Sequence, residues 1–129
     1  LYKQLKKPVV VEDSGLFIDS LNGFPGTCSA YIHKRIGLDG ILKLMKGIKN
    51  RKCKYKSAVG YCDEIGVVSF LGEENGLIAE KIIGNNGFGH DPIFIPEGYQ
   101  KTYGEIIEPE KVKKFRRRAI EKLVAYLKE

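Results

Sequence analysis

The amino-acid sequence predicts an α/β fold, built as a twisted mixed sheet with flanking helices and a β-meander lobe, with a cleft between the lobes. Runs rich in β-branched and aromatic residues at 9–11, 54–62, 67–71 and 77–83 indicate strands. Apolar residues spaced three to four apart indicate helices within 28–48 and 115–127. The 129 residues, 43% of them hydrophobic and 29% charged, suit a single domain over 1–129.

The first elements are marked by helix-ending and strand signals. Residues 1–7 have Leu at i and i+4 and Lys in the last turn, followed by Pro8, which predicts the end of a helix and further sequence upstream; a short N-terminal helix after removal of Met is the alternative. Residues 9–11 predict a short buried strand that ends in a turn at 12–15. Thr27 is a candidate N-cap for a helix over 28–36 closed by Gly37, and Asp39 for a second helix through residue 48.

The rest of the chain predicts a meander followed by a helix. Polar turns at 63–66 and 73–76 separate three strands, and a Gly/Asn-rich loop over 84–92 precedes a short strand at 93–95. The last helix carries an apolar stripe. Arg116 lies on or beside that stripe and points toward the protein, whereas Arg117 and Arg118 point toward water.

Composition restricts the function classes. The net charge is +6, and residues 110–129 hold eight Lys/Arg against three Glu, which favours an anionic partner. Cys28, Cys53 and Cys62 share no C-x-x-C spacing, so we expect reduced thiols in a cytoplasmic protein rather than a disulfide framework or a zinc site. No apolar run reaches membrane-spanning length, and no membrane partner is expected.

Three segments are candidates for chemistry. Residues 12–15 end the first strand with two carboxylates that suit Mg²⁺ or a water, although Asp/Ser/Gly turns also bond their own backbone. In the loop over 84–92, Phe88 offers a stacking face, and His90 and Asp91 offer polar edges for a nucleobase; a flexible connection with a buried Phe is the alternative. The basic run over 111–118 is a solvated helix face, a nucleic-acid stripe or part of a nucleotide site. His33 is expected on the helix surface or in the core.

Several motifs together resemble the inosine triphosphate pyrophosphatase family. They are VVVEDSGL at 9–16, LNGFPGT at 21–27 and GFGHDPIF at 87–94, with Thr102 and Glu105 downstream. The resemblance implies hydrolysis of non-standard purine nucleoside triphosphates (ITP, dITP, XTP) to the monophosphate and pyrophosphate, with Mg²⁺ as the cofactor. It also implies a homodimer.

The resemblance implies roles for individual residues. Asp13 is the catalytic residue, which holds metal or activates the water, and Glu12 is a second metal ligand. The implied substrate-binding residues are Ser14, Phe88, Gly89, His90, Asp91, Lys111, Arg116 and Arg117.

The sequence departs from the family pattern at both ends. The family opens with a Ser/Thr-x-Asn-x-x-Lys phosphate loop that these residues do not contain, so we expect an N-terminally truncated domain with weak or no activity on its own. Near the C-terminus, the family's Ser-His-Arg is replaced by Phe115-Arg116-Arg117 or, with a shifted gap, Lys114-Phe115-Arg116. The alternative function is a non-enzymatic nucleotide- or nucleic-acid-binding domain that uses the basic helix, although nucleic acid is not the expected partner.

Overall fold

The computed structural model describes residues 7–129 and shows one five-stranded sheet in the order β2-β1-β3-β4-β5. The strands are β1 Val9–Ile18, β2 Pro25–Gly26, β3 Lys52–Cys62, β4 Val67–Ile78 and β5 Phe94–Pro96. Two α-helices, α1 Ser29–Leu44 and α2 Phe115–Leu127, complete the predicted α/β class, with 3₁₀ turns at Asp19–Leu21, Asp91–Ile93 and Pro109–Lys111. The helix end predicted at 1–7 falls almost entirely outside the described residues.

The sheet differs from the prediction in its strand directions. All four described pairings are antiparallel, so this part of the chain has no parallel pair of the kind that a mixed sheet contains. The longest ladder joins β3 to β4 through the predicted turn at 63–66, where the Asp63 N–H donates to the Gly66 carbonyl at 3.0 Å. A turn this short joins antiparallel neighbours, whereas a parallel pair needs a long crossover.

Strand β1 is longer and more exposed than predicted. It pairs with β3 from Val9 opposite Cys62 to Ile18 opposite Cys53, so residues 12–15 lie inside a strand and form no turn. Val10 and Val11 are 56% and 54% exposed, and the prediction of a buried strand was wrong at these positions. β-Branched residues favour the extended backbone whether or not it is covered, so their presence did not report burial.

Strand β4 runs through the turn predicted at 73–76. Glu73 and Glu74 pair with Lys56 and Tyr55 in the middle of the ladder. Glu74 is buried and accepts hydrogen bonds from the Tyr103 hydroxyl and from the backbone N–H of Lys114. These tertiary contacts override the turn preference of the local sequence. The strand ends at Ile78, well before the predicted boundary at residue 83.

The helices follow the prediction more closely. In α1, Gly37 has φ 65° and ψ −171°, which breaks the helix where the two predicted helices meet and which a glycine tolerates. Its N-cap is Cys28 without a side-chain capping bond, so Thr27 is not the cap. Helix α2 buries Phe115, Ala119 and Leu123 against β3 and β4, as its stripe predicted.

An aromatic stack forms the centre of the core. The ring of Phe94 stacks on Tyr55 at 4.0 Å between centroids and on Tyr103 at 5.7 Å. Phe115 packs on Tyr55 from the start of α2 at 4.8 Å. This stack joins β3, β5 and α2, and it fixes the loop before β5 beside the first turn of α2. Within residues 7–129, no helix is both long and apolar enough to cross a membrane.

Candidate active site

A cavity of about 330 Å³ opens between β1, α1, the loop before β5 and the first turn of α2. Its volume lies in the range of small-molecule sites. It brings together six of the predicted site residues, namely Ser14, Phe88, Gly89, His90, Asp91 and Arg116. It also takes in His33, Ser29, Tyr55 and Lys113, to which the sequence assigned no site role. Glu12, Asp13, Lys111 and Arg117 do not line it.

The floor of the cavity depends on a close approach between β1 and the start of α1. The Ser29 hydroxyl donates to the Gly26 carbonyl at 2.6 Å and accepts the Leu16 N–H at 2.8 Å. A Cβ on Gly15 would lie 2.2 Å from the Gly26 oxygen, so only glycine fits there. The glycine of the EDSG motif therefore allows the chain to close behind Ser14.

Asp91 is the buried hub of the opposite wall. Its carboxylate accepts hydrogen bonds from the Tyr55 hydroxyl at 2.8 Å, the Phe88 N–H at 3.0 Å and the Lys113 ammonium at 2.6 Å. Burial, and next the charge of Asp91, raise the pKa of Tyr55 well above its ordinary value, so Tyr55 stays a hydrogen-bond donor. Asp91 thus fixes the loop, the sheet and Lys113 to one another.

Lys113 is the cation that the sequence did not identify. Its side chain is 5% exposed, lies 2.6 Å from both Asp91 and Glu110, and sits 4.5 Å above the ring of Phe88. The implied substrate residue Lys111 lies outside the cavity, 74% exposed and paired with Glu108 at 2.9 Å. The 3₁₀ turn at Pro109–Lys111 decides which lysine points inward. No local sequence signal indicated which side of this turn faces the cavity.

Phe88 and Arg116 form the mouth of the cavity. Phe88 is 58% exposed, and the guanidinium carbon of Arg116 lies 5.4 Å from the centre of its ring. Arg116 also donates to Glu12 at 3.1 Å and to the Ser14 hydroxyl at 3.2 Å. The prediction that Arg116 points toward the protein is confirmed by these contacts, which join α2 to β1.

His90 lies deep in the cavity, with an exposure of 5%. Its Nε2 atom is buried and has no hydrogen-bond partner among the described residues. The edge of one ring meets the face of the other between His90 and His33, with centroids 5.2 Å apart at 78°. Burial, and next the neighbouring His33, lower the pKa of His90 from 6.5 to about 4, so its imidazole is neutral at pH 7.

The two carboxylates of β1 do not converge. Because neighbours in a strand face opposite sides, Asp13 points away from the face that carries Glu12 and Ser14. Glu12 already accepts from Ser57 at 3.0 Å and from Arg116. The strand does not turn there, so Glu12 and Asp13 do not converge on one point in this geometry, and their metal-binding roles stay a prediction.

The described residues do not form a complete Mg²⁺ site. Within 7–129, no three His, Cys, Asp or Glu side chains gather in a metal-binding cluster. Mg²⁺ prefers several oxygen ligands in an octahedral arrangement. The one implied ligand pair is split by the strand, so these donors alone do not fit the ion.

The other cations of α2 bond to the protein's own backbone. Arg117 donates to the Lys111 carbonyl at 3.3 Å, Arg118 to the Glu73 carbonyl, and Lys122 to the Leu71 carbonyl at 2.6 Å. Arg117, predicted to bind substrate, therefore lies outside the cavity. Because these cations already bond to the protein's own carbonyl groups, the helix does not favour the nucleic-acid-binding alternative.

Comparison with known proteins identifies relatives over nearly the whole chain. The family model of the Ham1 family matches residues 1–126. A dITP/XTP pyrophosphatase of Methanopyrus kandleri is 52% identical over 98% of this chain and 68% of the relative. One of Hyperthermus butylicus is 48% identical over 87% of this chain and 59% of the relative.

Solved structures give the same result for the fold. The Ham1 protein of Staphylococcus aureus superposes with a TM-score of 0.89 at 31% identity, over 98% of this chain and 69% of that one. The chain thus spans roughly two thirds of its relatives' length. The motifs at 9–16, 21–27 and 87–94 and these matches agree, and the chain belongs to the Ham1 family.

Proposed function

We propose that this chain carries the purine-recognition part of an enzyme that hydrolyses ITP, dITP and XTP to the monophosphate and pyrophosphate. The observation that carries the proposal is the cavity itself, where an accessible aromatic face lies beside a buried, carboxylate-held ammonium. The names of the two relatives, dITP/XTP pyrophosphatases at 52% and 48% identity, support the same activity.

The base is proposed to stack on Phe88 with its 6-oxo group toward Lys113. An ammonium has three N–H donors and no acceptor, and two of the three are directed at Asp91 and Glu110. The remaining N–H suits a carbonyl oxygen. The 6-amino group of adenine would face this donor with donors of its own, and such a mismatch costs far more than a missing methylene.

The triphosphate is proposed to leave the cavity across β1. On the edge of β1 that faces away from β3, only Leu16 and Phe17 pair with a described strand, which is β2. A triphosphate crossing this edge meets Ser14 and Arg116 on one face and the exposed Asp13 on the other. Asp13 would then take the proton of the water that attacks the α-phosphorus, and Arg116 would stabilise the charge on the departing pyrophosphate.

Mg²⁺, the homodimer and the cytoplasmic location remain predictions from the sequence. Titration of EDTA-treated protein with MgCl₂ and with MnCl₂ tests whether the protein binds a divalent metal. Sedimentation equilibrium tests whether it forms a dimer. The described carboxylates do not assemble the ligands of a metal ion.

Binding measurements test the base site directly, because binding at the cavity depends on residues that this chain supplies. Calorimetry should give a lower dissociation constant for ITP than for ATP, and Phe88→Ala should weaken ITP binding by roughly tenfold, as loss of a stacked base does. Tyr99→Ala removes another exposed aromatic, 42% exposed and outside the cavity, and should change nothing. Equal affinities for ITP and ATP would contradict the proposal.

Turnover tests the role of Asp13. Pyrophosphate release from ITP, which is expected to be weak in the unsubstituted chain, should fall to the uncatalysed rate in Asp13→Asn while binding persists. Asp39→Asn, which changes an exposed carboxylate on α1, serves as the control. Salt-dependent binding to duplex DNA that Asp13→Ala leaves unchanged, together with no ITP binding, would favour the nucleic-acid alternative instead.

A further inference from the structure

Glu74 is a buried carboxylate that the proposed mechanism does not use. Its side chain is 5% exposed, and it lies on β4, outside the cavity. One carboxylate oxygen accepts a hydrogen bond from the Tyr103 hydroxyl, and the other accepts from the backbone N–H of Lys114 at 3.1 Å. Taking a carboxylate out of water is costly unless it is hydrogen-bonded. These two partners therefore indicate what Glu74 does.

The Lys114 N–H marks the start of α2. Lys114 is the N-cap residue of this helix, and its own side chain makes no capping bond. The first N–H groups of a helix have no partners within the helix, and the helix dipole favours a carboxylate beside them. Glu74 therefore supplies, from a strand, the cap that the helix does not supply itself.

Strand β4 also touches α2 two residues before Glu74. A Cβ on Gly72 would collide with the Phe115 carbonyl oxygen and would lie 2.5 Å from the backbone nitrogen of Ala119. Gly72 and Glu74 lie on the same face of the strand, because side chains alternate along it. The contact at Gly72 sets how close the helix lies to the sheet, and the bond from Glu74 fixes where its first turn begins.

The two cations of the cavity lie on either side of Lys114, and they are held differently. Lys113, just before the helix, is fixed by its buried pair with Asp91 at 2.6 Å. Arg116, in the first turn, is 31% exposed and has partners at 3.1 Å and 3.5 Å that are themselves partly exposed. Partly exposed ion pairs contribute little to holding a side chain in one place. Arg116 therefore depends more than Lys113 on where the helix begins.

We propose that Glu74 is a positioning residue for Arg116. By accepting the Lys114 N–H, it fixes the first turn of α2 so that the guanidinium reaches the Ser14 hydroxyl, at 3.2 Å. A charged group that is already in place before the ligand arrives loses less freedom on binding. This inference rests on the proposed function, since it takes Arg116 as the group that meets the triphosphate.

The test compares calorimetric binding of ITP and of IMP, because Arg116 is expected to contact the triphosphate. Glu74→Met keeps the length of the side chain and removes both acceptors. It should raise the dissociation constant for ITP roughly fivefold, the effect of one hydrogen bond, and that for IMP much less. When Arg116→Ala is already present, Glu74→Met should change the constant for ITP by less than about twofold, because no guanidinium remains to be positioned.

Further variants separate positioning from a general loss of structure. Glu74→Gln keeps an acceptor oxygen for the Lys114 N–H and should bind ITP as the unsubstituted chain does. Glu73→Ala removes the neighbouring carboxylate, which is 43% exposed and lies 3.8 Å from the Lys54 ammonium and 3.9 Å from that of Lys56. It should change neither constant. Glu74→Ala repeats the test with a smaller side chain, and thermal melts check that each variant is folded.

The outcomes distinguish this inference from the proposed function. The inference is overturned if Glu74→Met weakens ITP and IMP equally, or neither, while the unsubstituted chain still binds ITP and the proposed function stands. An undiminished effect of Glu74→Met in the presence of Arg116→Ala would also overturn it. If the unsubstituted chain does not bind ITP, the proposed function itself fails, and the inference fails with it.

Discussion

Two carboxylate–cation pairs lie beside the cavity, one toward the loop before β5 and one toward β1, with Glu110 at 2.6 Å from Lys113 and 3.5 Å from Arg116 between them. They differ mainly in burial. At the base end, Asp91 and Lys113 are 1% and 5% exposed, with 2.6 Å between the charged atoms. At the β1 end, Glu12 and Arg116 are 32% and 31% exposed, at 3.1 Å. A buried pair cannot lose one partner cheaply, whereas a solvated pair can be rearranged by an incoming ligand. The cavity thus joins a fixed recognition end to an adaptable phosphate end.

The largest expected effect comes from removing the buried carboxylate. Asp91→Ala leaves Lys113 in the interior with half-exposed Glu110 as its remaining ion-pair partner, and it also removes the acceptor of Tyr55 and Phe88. We expect a loss of about 3 kcal/mol or more in the free energy of unfolding. Urea denaturation followed by circular dichroism measures it.

Glu110→Ala is the matched control for that prediction. Glu110 lies at the same 2.6 Å from the Lys113 ammonium, but its side chain is 52% exposed. Its removal should cost less than about 1 kcal/mol. Equal losses for the two variants would mean that burial does not distinguish the partners, and the contrast between the two ends of the cavity would fail.

The second largest expected effect is the dependence of the free energy of unfolding on pH. Because the folded state lowers the pKa of His90 from 6.5 to about 4, the unfolded chain binds a proton there first as the pH falls. The contribution of His90 is complete above pH 6.5 and is lost as the pH approaches 4, by up to about 3 kcal/mol. The free energy of unfolding, measured from pH 7 to pH 4, should fall less steeply in His90→Phe. Parallel curves for the two proteins would contradict the assignment.

The two ends of the cavity also differ in how far the sequence predicted them. The glycine-rich loop placed Phe88, His90 and Asp91 together because the three lie within four residues of one another. The sequence pointed to Lys111, whereas Asp91 holds Lys113, because the choice between the two lysines depends on which residues of a short 3₁₀ turn face inward. At β1 the sequence identified the residues but not the side of the sheet that each one faces. The strand was predicted to end in a turn at 12–15, whereas β1 continues through these residues.

The fold, too, has parts that the sequence predicted and parts that it did not. Amphipathic spacing located α2 and its buried face, since burial on one helix face imposes a period that is visible in sequence. Residues 73–76 have a turn-like composition and lie in β4, because Glu74 meets Tyr103 and Lys114 from distant parts of the chain. Contacts of this kind are non-local, and no window of sequence contains them.

The smallest expected change in stability is at the phosphate end, where ligand affinity is the more informative measurement. Arg116→Ala breaks a half-exposed pair with Glu12 and should alter the free energy of unfolding by less than about 1 kcal/mol. Its removal should weaken ITP binding by roughly tenfold, the worth of a charge-assisted hydrogen bond, and IMP binding much less. Arg117→Ala, which loses only a contact to the Lys111 carbonyl, should leave both ligands unaffected. If the two arginine variants weaken ITP to the same extent, Arg116 contributes only general positive charge, and the adaptable end of the cavity is not where the triphosphate binds.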